Sequence, residues 1–152
     1  KPSLTIIGNG PEQKNLLQLI SDLHLEEYVL LAGPLSGEDL AICLNRHRFL
    51  LVPSLWEEPF GNVVLEAMAC GCLPIVSNGG GLPDAVGNAG LIFHRGDVNS
   101  LVSSITNILN NSALEQQLKS AAKNHLIAHY PNNVVLKYLD VIDSALHSHK
   151  KK

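Results

Sequence analysis

With 152 residues, 45% hydrophobic and 16% charged, the chain has the size and composition of one globular domain, able to bury roughly two thirds of the surface its unfolded form exposes. A formal charge of -3 excludes a general attraction to nucleic acid, and no apolar run approaches the length needed to cross a bilayer. Cys43, Cys70 and Cys72 are odd in number and lie in apolar segments, which suits reduced core residues of a cytosolic protein better than a disulfide framework; Cys70 and Cys72 also lack two further ligands at a zinc-site spacing.

The elements alternate through the first two thirds. No signal-peptide pattern opens the chain; Lys1-Pro2-Ser3 leads at once into an apolar strand, Leu4 to Ile7, without a capped helix or methionine before it, so the chain reads as a piece excised from a longer protein. Gly8-Asn9-Gly10-Pro11 turns into a helix whose buried stripe is Leu16, Leu17, Leu19, Ile20 and Leu23. Tyr28 to Ala32 is the second strand, ending in Gly33-Pro34. Ser36 offers an N-cap, with Asp39 three residues on, for a helix reaching about Asn45. Phe49 to Val52 is strand three, Gly61 to Cys70 a helix, and Leu73 to Val76 strand four. Asn78-Gly79-Gly80-Gly81 leads to a short helix near Pro83 to Val86, and Leu91 to Phe93 closes the sheet. After Asp97, a predicted cap, only helices follow: one on Leu101, Val102, Ile105, Ile108 and Leu109, one on Leu114, Leu118, Ala121, Ala122 and Leu126, and, past a Tyr130-Pro131 break, one on Val135, Tyr138, Leu139, Ile142 and Leu146. Strands alternating with helices predict an α/β fold, a Rossmann-like parallel sheet flanked by helices with a helical C-terminal tail. The Lys150 to Lys152 run is basic but too short to identify a partner.

The most informative segment is Glu58-Pro59-Phe60-Gly61-Asn62-Val63-Val64-Leu65-Glu66, which sets two carboxylates eight positions apart across a loop that enters a helix. From Gly61 to Ala69 every residue except Asn62 and Glu66 is apolar or small, so the helix shows no obvious solvated stripe and Glu66 is expected to need a partner. No Arg or Lys lies between Arg48 and Arg95 to provide one, and a hydroxyl-rich ligand is the natural candidate. In an open parallel sheet, ligands collect beyond the carboxyl ends of the strands, where the loops at Gly8, Gly33, Pro53 to Gly61 and Gly79 to Gly81 all fall. Amides of Gly61, Asn62 and Val63 at a helix start favour a phosphate, and the bare Gly61 lets it approach. Glu66, about one turn on, can accept from both hydroxyls of a ribose, and Glu58 from hydroxyls at the other end of a diphosphate. A nucleoside-diphosphate sugar has that order of groups.

The run Pro53-Ser54-Leu55-Trp56-Glu57-Glu58-Pro59-Phe60-Gly61, continuing through Glu66-Ala67-Met68-Ala69-Cys70-Gly71 to Pro74-Ile75-Val76, closely resembles glycosyltransferase family 4, and the similarity extends from Leu4 to the last helices. It matches the carboxy-terminal, donor-binding lobe of retaining, two-domain GT-B enzymes. The resemblance implies that Glu58 contacts the transferred sugar, that the amides of Phe60 and Gly61 hold its hydroxyls and those of Asn62 and Val63 the diphosphate, and that Glu66 binds the ribose. Pro34 and Leu35 would meet the base, with Gly8 lining the same cleft. The donor expected is a UDP-hexose such as UDP-glucose, the base being taken only from how common UDP donors are. The acceptor would be a saccharide or lipid-linked, with retention and no metal or other cofactor; no Asp-x-Asp motif is present. The Gly-Arg motif and Lys that clamp the diphosphate in the family belong upstream of this chain's first strand. Residues 1 to 152 therefore read as a donor domain lacking its first strand and helix, partnered by an amino-terminal acceptor-binding lobe of the same parent chain. Contact with the inner face of a membrane would come only through that lobe, and the location implied is cytoplasmic. A non-catalytic nucleotide-sugar-binding module or partner subunit is the alternative.

Other features carry a plain reading beside a sharper one. Gly8-Asn9-Gly10 lacks the third glycine of a dinucleotide fingerprint and reads equally as a simple turn. Gly79 to Gly81 either admits a ligand closely or forms a flexible turn, and Trp56 either stacks on a sugar or walls the loop. His125 and His129 have the i, i+4 spacing of a metal pair but no glutamate and no third ligand, which favours surface positions; His147 and His149 read the same way, and His47 as part of a solvated turn.

Overall fold

The computed structural model describes residues 3 to 149, and the Lys150 to Lys152 run lies outside them. The fold is α/β, with parallel strands flanked by helices and a helical carboxy-terminal portion. It divides between Cys43 and Leu44 into two compact units.

The first unit contains β1 (Leu4–Ile7), α1 (Gln13–Asp22) and β2 (Val29–Gly33), and α2 (Gly37–Leu44) runs to its end. β1 and β2 pair in parallel from Leu4 opposite Val29 to Ile7 opposite Gly33, with one irregularity between Ile6 and Ile7. The stripe expected on α1 is only partly covered. Ile20 is buried and Leu16 half-buried, whereas Leu17, Leu19 and Leu23 are exposed.

The second unit contains β3 (Phe49–Val52), α3 (Asn62–Ala69), β4 (Leu73–Ser77), α4 (Leu82–Val86), β5 (Leu91–Phe93), α5 (Val98–Asn110), α6 (Ser112–Ala128) and α7 (Pro131–His149). Its parallel sheet has the order β3-β4-β5, so the hydrogen bonds form two sheets where the strand pattern predicts one. β4 is central and buried at every position, as a strand covered on both faces should be. Its alternation separates two cores. Leu73 and Ile75 meet Phe93, Ile108 of α5 and Leu118 of α6, while Val76 belongs with Val64 and Met68 of α3 and with Leu82, Ala85 and Val86 of α4.

Local chemistry explains the helix boundaries. Asp97 caps α5 by accepting from Ser100 N at 3.1 Å, as predicted, and Asn111 caps α6 by accepting from Leu114 N at 3.0 Å. The break before Pro131 falls where the proline demands it. The apolar residues predicted on α7, among them Tyr138, Leu139 and Leu146, are exposed. No helix among the described residues is long and apolar enough to cross a membrane.

An ion pair fastens α6 to the start of β3. Glu115 accepts from Arg48 and from Lys119 at 3.0 Å, and Arg48 lies 4.8 Å from the centre of the Phe49 ring. The Arg48 guanidinium, followed by the Lys119 ammonium, lowers the Glu115 carboxyl from 4.5 to about 2. A carboxylate whose folded value is depressed stabilises the fold fully above its unfolded value and loses that contribution as pH falls through the folded one. The stability difference between wild type and Glu115→Gln, measured by urea denaturation, should therefore be constant above about pH 5 and shrink steadily as pH falls towards 2. A difference independent of pH across that window would show that the pair does not form.

Candidate functional site

The segment Pro53 to Gly61, which connects β3 to α3, has no regular structure, and the turn after β4 holds it in place. Gly80 has φ +54, and a Cβ there would lie 2.2 Å from Glu58 O and 2.5 Å from Glu58 N. A Cβ on Gly81 would lie 2.5 Å from Pro59 O and 2.7 Å from Phe60 Cα. Gly81 N donates to Glu58 O at 2.7 Å. Neither reading of the glycine run, ligand approach or flexible turn, anticipates this contact of main chain with main chain.

Side chains complete the brace. Ser77, wholly buried at the end of β4, donates from Oγ to Ser54 O at 2.8 Å, and Ser54 Oγ donates to Glu58 Oε1 at 2.9 Å. Glu57 accepts from Gly80 N at 2.6 Å and from the Arg95 guanidinium, while Arg95 N donates to Asn78 Oδ1 at 2.8 Å. The Arg95 hydrogen bond, and after it the Gly80 amide, holds the Glu57 carboxyl below its usual range. Sequence reasoning missed Ser54, Ser77, Glu57 and Arg95 as positioning groups. Only Arg95 gave a signal, as the first cation after Arg48.

Gly61 caps α3 in the left-handed conformation, φ 93 and ψ 58, and a Cβ on it would stand 2.6 Å from Leu82 Cδ2. Its bareness thus serves backbone geometry and packing on α4, whatever approaches from outside. No side chain caps the helix, so the amides of Asn62 and Val63, which have no acceptor within the helix, remain available. α3 buries Val64, Ala67 and Met68 and exposes Asn62, Glu66 and Ala69 at i, i+4 and i+7. This corrects the expectation for Glu66. The exposed stripe includes an alanine, which hides it in a hydrophobicity pattern, and Glu66 stands in solvent with no hydrogen bond or ion pair to a described residue. Water meets the carboxylate's hydrogen bonds there, so its placement requires no ligand. What remains is its place on the open face of α3, roughly 6 Å of helix rise beyond the free amides.

The candidate residues fall into two groups. Glu58, Phe60, Gly61, Asn62, Val63 and Glu66 belong to the second unit, with Glu58 and Phe60 half-buried and Asn62 exposed. Gly8, Pro34 and Leu35 belong to the first, at the carboxyl ends of β1 and β2, where Gly8 N donates to Gly33 O at 2.8 Å. Pro34 is exposed, and Gly8, with φ +116, has open space where a side chain would be. A cavity of about 90 Å³ lined by Met68, Cys72 and Lys119 lies at the opposite end of α3, too small for a nucleotide sugar. Trp56 is 59% exposed beside the Glu57 brace, so it does not wall the loop from within.

A family model described as "Glycosyl transferases group 1" matches residues 1–125. N-acetyl-alpha-D-glucosaminyl L-malate synthase of Bacillus anthracis is 29% identical over 141 residues, 91% of this chain and 36% of that protein. Glycogen synthase of Mycobacterium tuberculosis H37Rv is 32% identical over 130 residues, 84% of this chain and 31% of that protein. Among solved structures, sucrose-phosphate synthase from Thermosynechococcus elongatus superposes with a TM-score of 0.76 at 27% identity, covering 97% of this chain and 39% of that one. Anabaena HepE in complex with UDP-glucose gives 0.75 at 23%, covering 96% and 41%, a likeness of fold. The chain spans about a third of the length of these curated relatives.

The glycine contacts lead to a direct test. Gly80→Ala should destabilise the protein by about 1 to 3 kcal/mol in chemical denaturation, through its positive φ and the overlap with Glu58. Gly10→Ala, where a Cβ meets nothing within 4 Å, should stay within about 0.5 kcal/mol. Equal stabilities would mean that the loop does not rest on the turn.

Proposed function

Since this chain belongs to the glycosyl transferases group 1 family, we propose that it is the carboxy-terminal donor lobe of a retaining, metal-independent GT-B enzyme of glycosyltransferase family 4. In this reading it carries a hexose from a nucleoside-diphosphate sugar to a saccharide or lipid-linked acceptor. The observation that carries the proposal is the arrangement around α3: an oriented carboxylate, Glu58, before a helix start with free amides, and the exposed Glu66 one turn beyond them on the open face. The amides of Phe60 and Gly61 take the sugar hydroxyls, those of Asn62 and Val63 the diphosphate, and Glu66 the ribose; Gly8, Pro34 and Leu35 serve the nucleoside. The acceptor-binding lobe and the cations that clamp the diphosphate then lie outside these 152 residues, and the enzyme acts in the cytoplasm or at the inner face of the membrane.

The chemistry rests on positioning and on stabilising the departing diphosphate rather than on a covalent intermediate. Helix-start amides concentrate positive potential where charge develops on the leaving group. Ser54 orients Glu58 through one oxygen, which leaves the other to accept from a sugar hydroxyl. Because HepE, a neighbour in fold, holds UDP-glucose, UDP is the first nucleotide to test.

In the full-length parent, Glu58→Ala should lower turnover by about two to four orders of magnitude, the loss expected when a group that positions the reacting centre is removed. Calorimetry against UDP-, GDP- and ADP-sugars identifies the donor, and turnover should persist in EDTA. Unchanged rates in the variant would remove Glu58 from the mechanism. Donor binding without transfer or slow donor hydrolysis would favour a binding module instead.

A further inference from the structure

Phe60 lies near the end of the loop that carries Glu58, and α6 with its C-cap residue brings a pair of imidazoles to it. His125 and His129 are half-buried rather than on the surface as their spacing suggests. His125 Nε2 stands 2.8 Å from Ala85 O, and since a carbonyl only accepts, Nε2 carries the hydrogen. The ring fills the space left by Gly87, where a Cβ would lie 2.5 Å from His125 Cε1. His129 Nδ1 donates to His125 O at 2.8 Å. The two rings lie 4.5 Å apart, and the His129 ring meets the Phe60 ring at 5.7 Å with a 39° tilt. Each imidazole commits one N–H to a main-chain carbonyl, which fixes the orientation of its ring.

These contacts form a continuous path from α4 through His125 and His129 to Phe60, while Leu82 of α4 also stands against Gly61. The two residues whose amides are assigned to the sugar thus depend on α4 twice, once directly and once through α6. The family match ends at residue 125, so His129 lies beyond it.

We propose that His129, set in place by His125, is a positioning residue that fixes the Phe60 ring and so aims the Phe60 and Gly61 amides at the transferred sugar. The inference rests on the donor-site reading above. Ring contact is the active property, because His129 presents its ring to Phe60 while Nδ1 faces its own helix. Removing the ring should loosen the sugar end of the site and leave the diphosphate end, on the amides of Asn62 and Val63, unaffected.

The test is calorimetric titration of the full-length parent and of His129→Leu and His129→Phe with UDP-glucose and with UDP. GDP-mannose with GDP, and ADP-glucose with ADP, serve as the parallel pairs should the base differ. The leucine keeps apolar bulk so that the fold survives, which thermal melts check. Loss of an aromatic contact should weaken sugar-nucleotide binding by about three- to tenfold in His129→Leu, with nucleoside-diphosphate binding within about twofold of wild type and His129→Phe close to wild type for both. If wild type binds both probes and His129→Leu weakens neither, or weakens both equally, the inference is overturned while the donor site stands. If wild type binds none of the pairs, the donor-site reading fails and the inference with it.

Discussion

The second unit's candidate site depends on a contact that has no room for a side chain. The main chain of Gly80 and Gly81 lies against the main chain of Glu58, Pro59 and Phe60, with Gly81 N donating to Glu58 O. An irregular segment needs fixed partners for its backbone groups if it is to present a carboxylate in one direction, and here the turn after β4 supplies one of them. β4 is the central, fully buried strand, so the loop inherits the rigidity of the best-packed element in the unit. Glu57 follows from the same contact. With Glu58 pressed on Gly80, the neighbouring carboxylate can take the Gly80 amide and the Arg95 guanidinium.

The electrostatics of this site are those of amides rather than cations. Arg95 is bonded to Glu57, which leaves it paired with a carboxylate rather than free to balance a diphosphate. What α3 offers an anion is a helix start without a side-chain cap, equivalent to roughly half a positive charge. A left-handed Gly61 sets the direction in which those amides point, and Leu82 packing fixes Gly61. The core of the second unit therefore reaches the candidate anion site in a single contact, through a side chain that is itself wholly buried.

Much of this was legible in the sequence because it is local. β3 and β5 have the predicted ends, β4 runs one residue further to Ser77, and Asp97 caps α5. Those features depend on periodicity and on side chains within a few residues of one another. The misses are non-local. The glycine run after β4 marks a turn but gives no sign that Glu58, 22 positions earlier in the chain, occupies the space a Cβ on Gly80 would need. His125 and His129 share a helical face whose character is decided by Ala85, Gly87 and Phe60. Glu66 and the α1 leucines were misread in the same direction, as more buried than they are: an apolar stripe shows which face could be buried, not whether anything covers it, and an alanine on the open face of α3 looked like core.

The exposure of Glu66 changes the basis of the functional reading rather than its direction. A buried carboxylate would have demanded a ligand through its desolvation cost alone; a solvated one makes no such demand. The weight passes to Glu58, which is oriented while only half-buried. The bond from Ser54, itself tied to the wholly buried Ser77, draws on one Glu58 oxygen and holds the carboxylate plane, while no described residue bonds to the other oxygen. Donation to a carboxylate oxygen engages one of its lone pairs and lowers its nucleophilicity, which suits a group that accepts from a sugar hydroxyl better than one that attacks an anomeric carbon. In the proposed reaction the pull on the glycosidic bond then comes from the helix-start amides acting on the leaving diphosphate, and Glu58 sets the angle at which the sugar meets them.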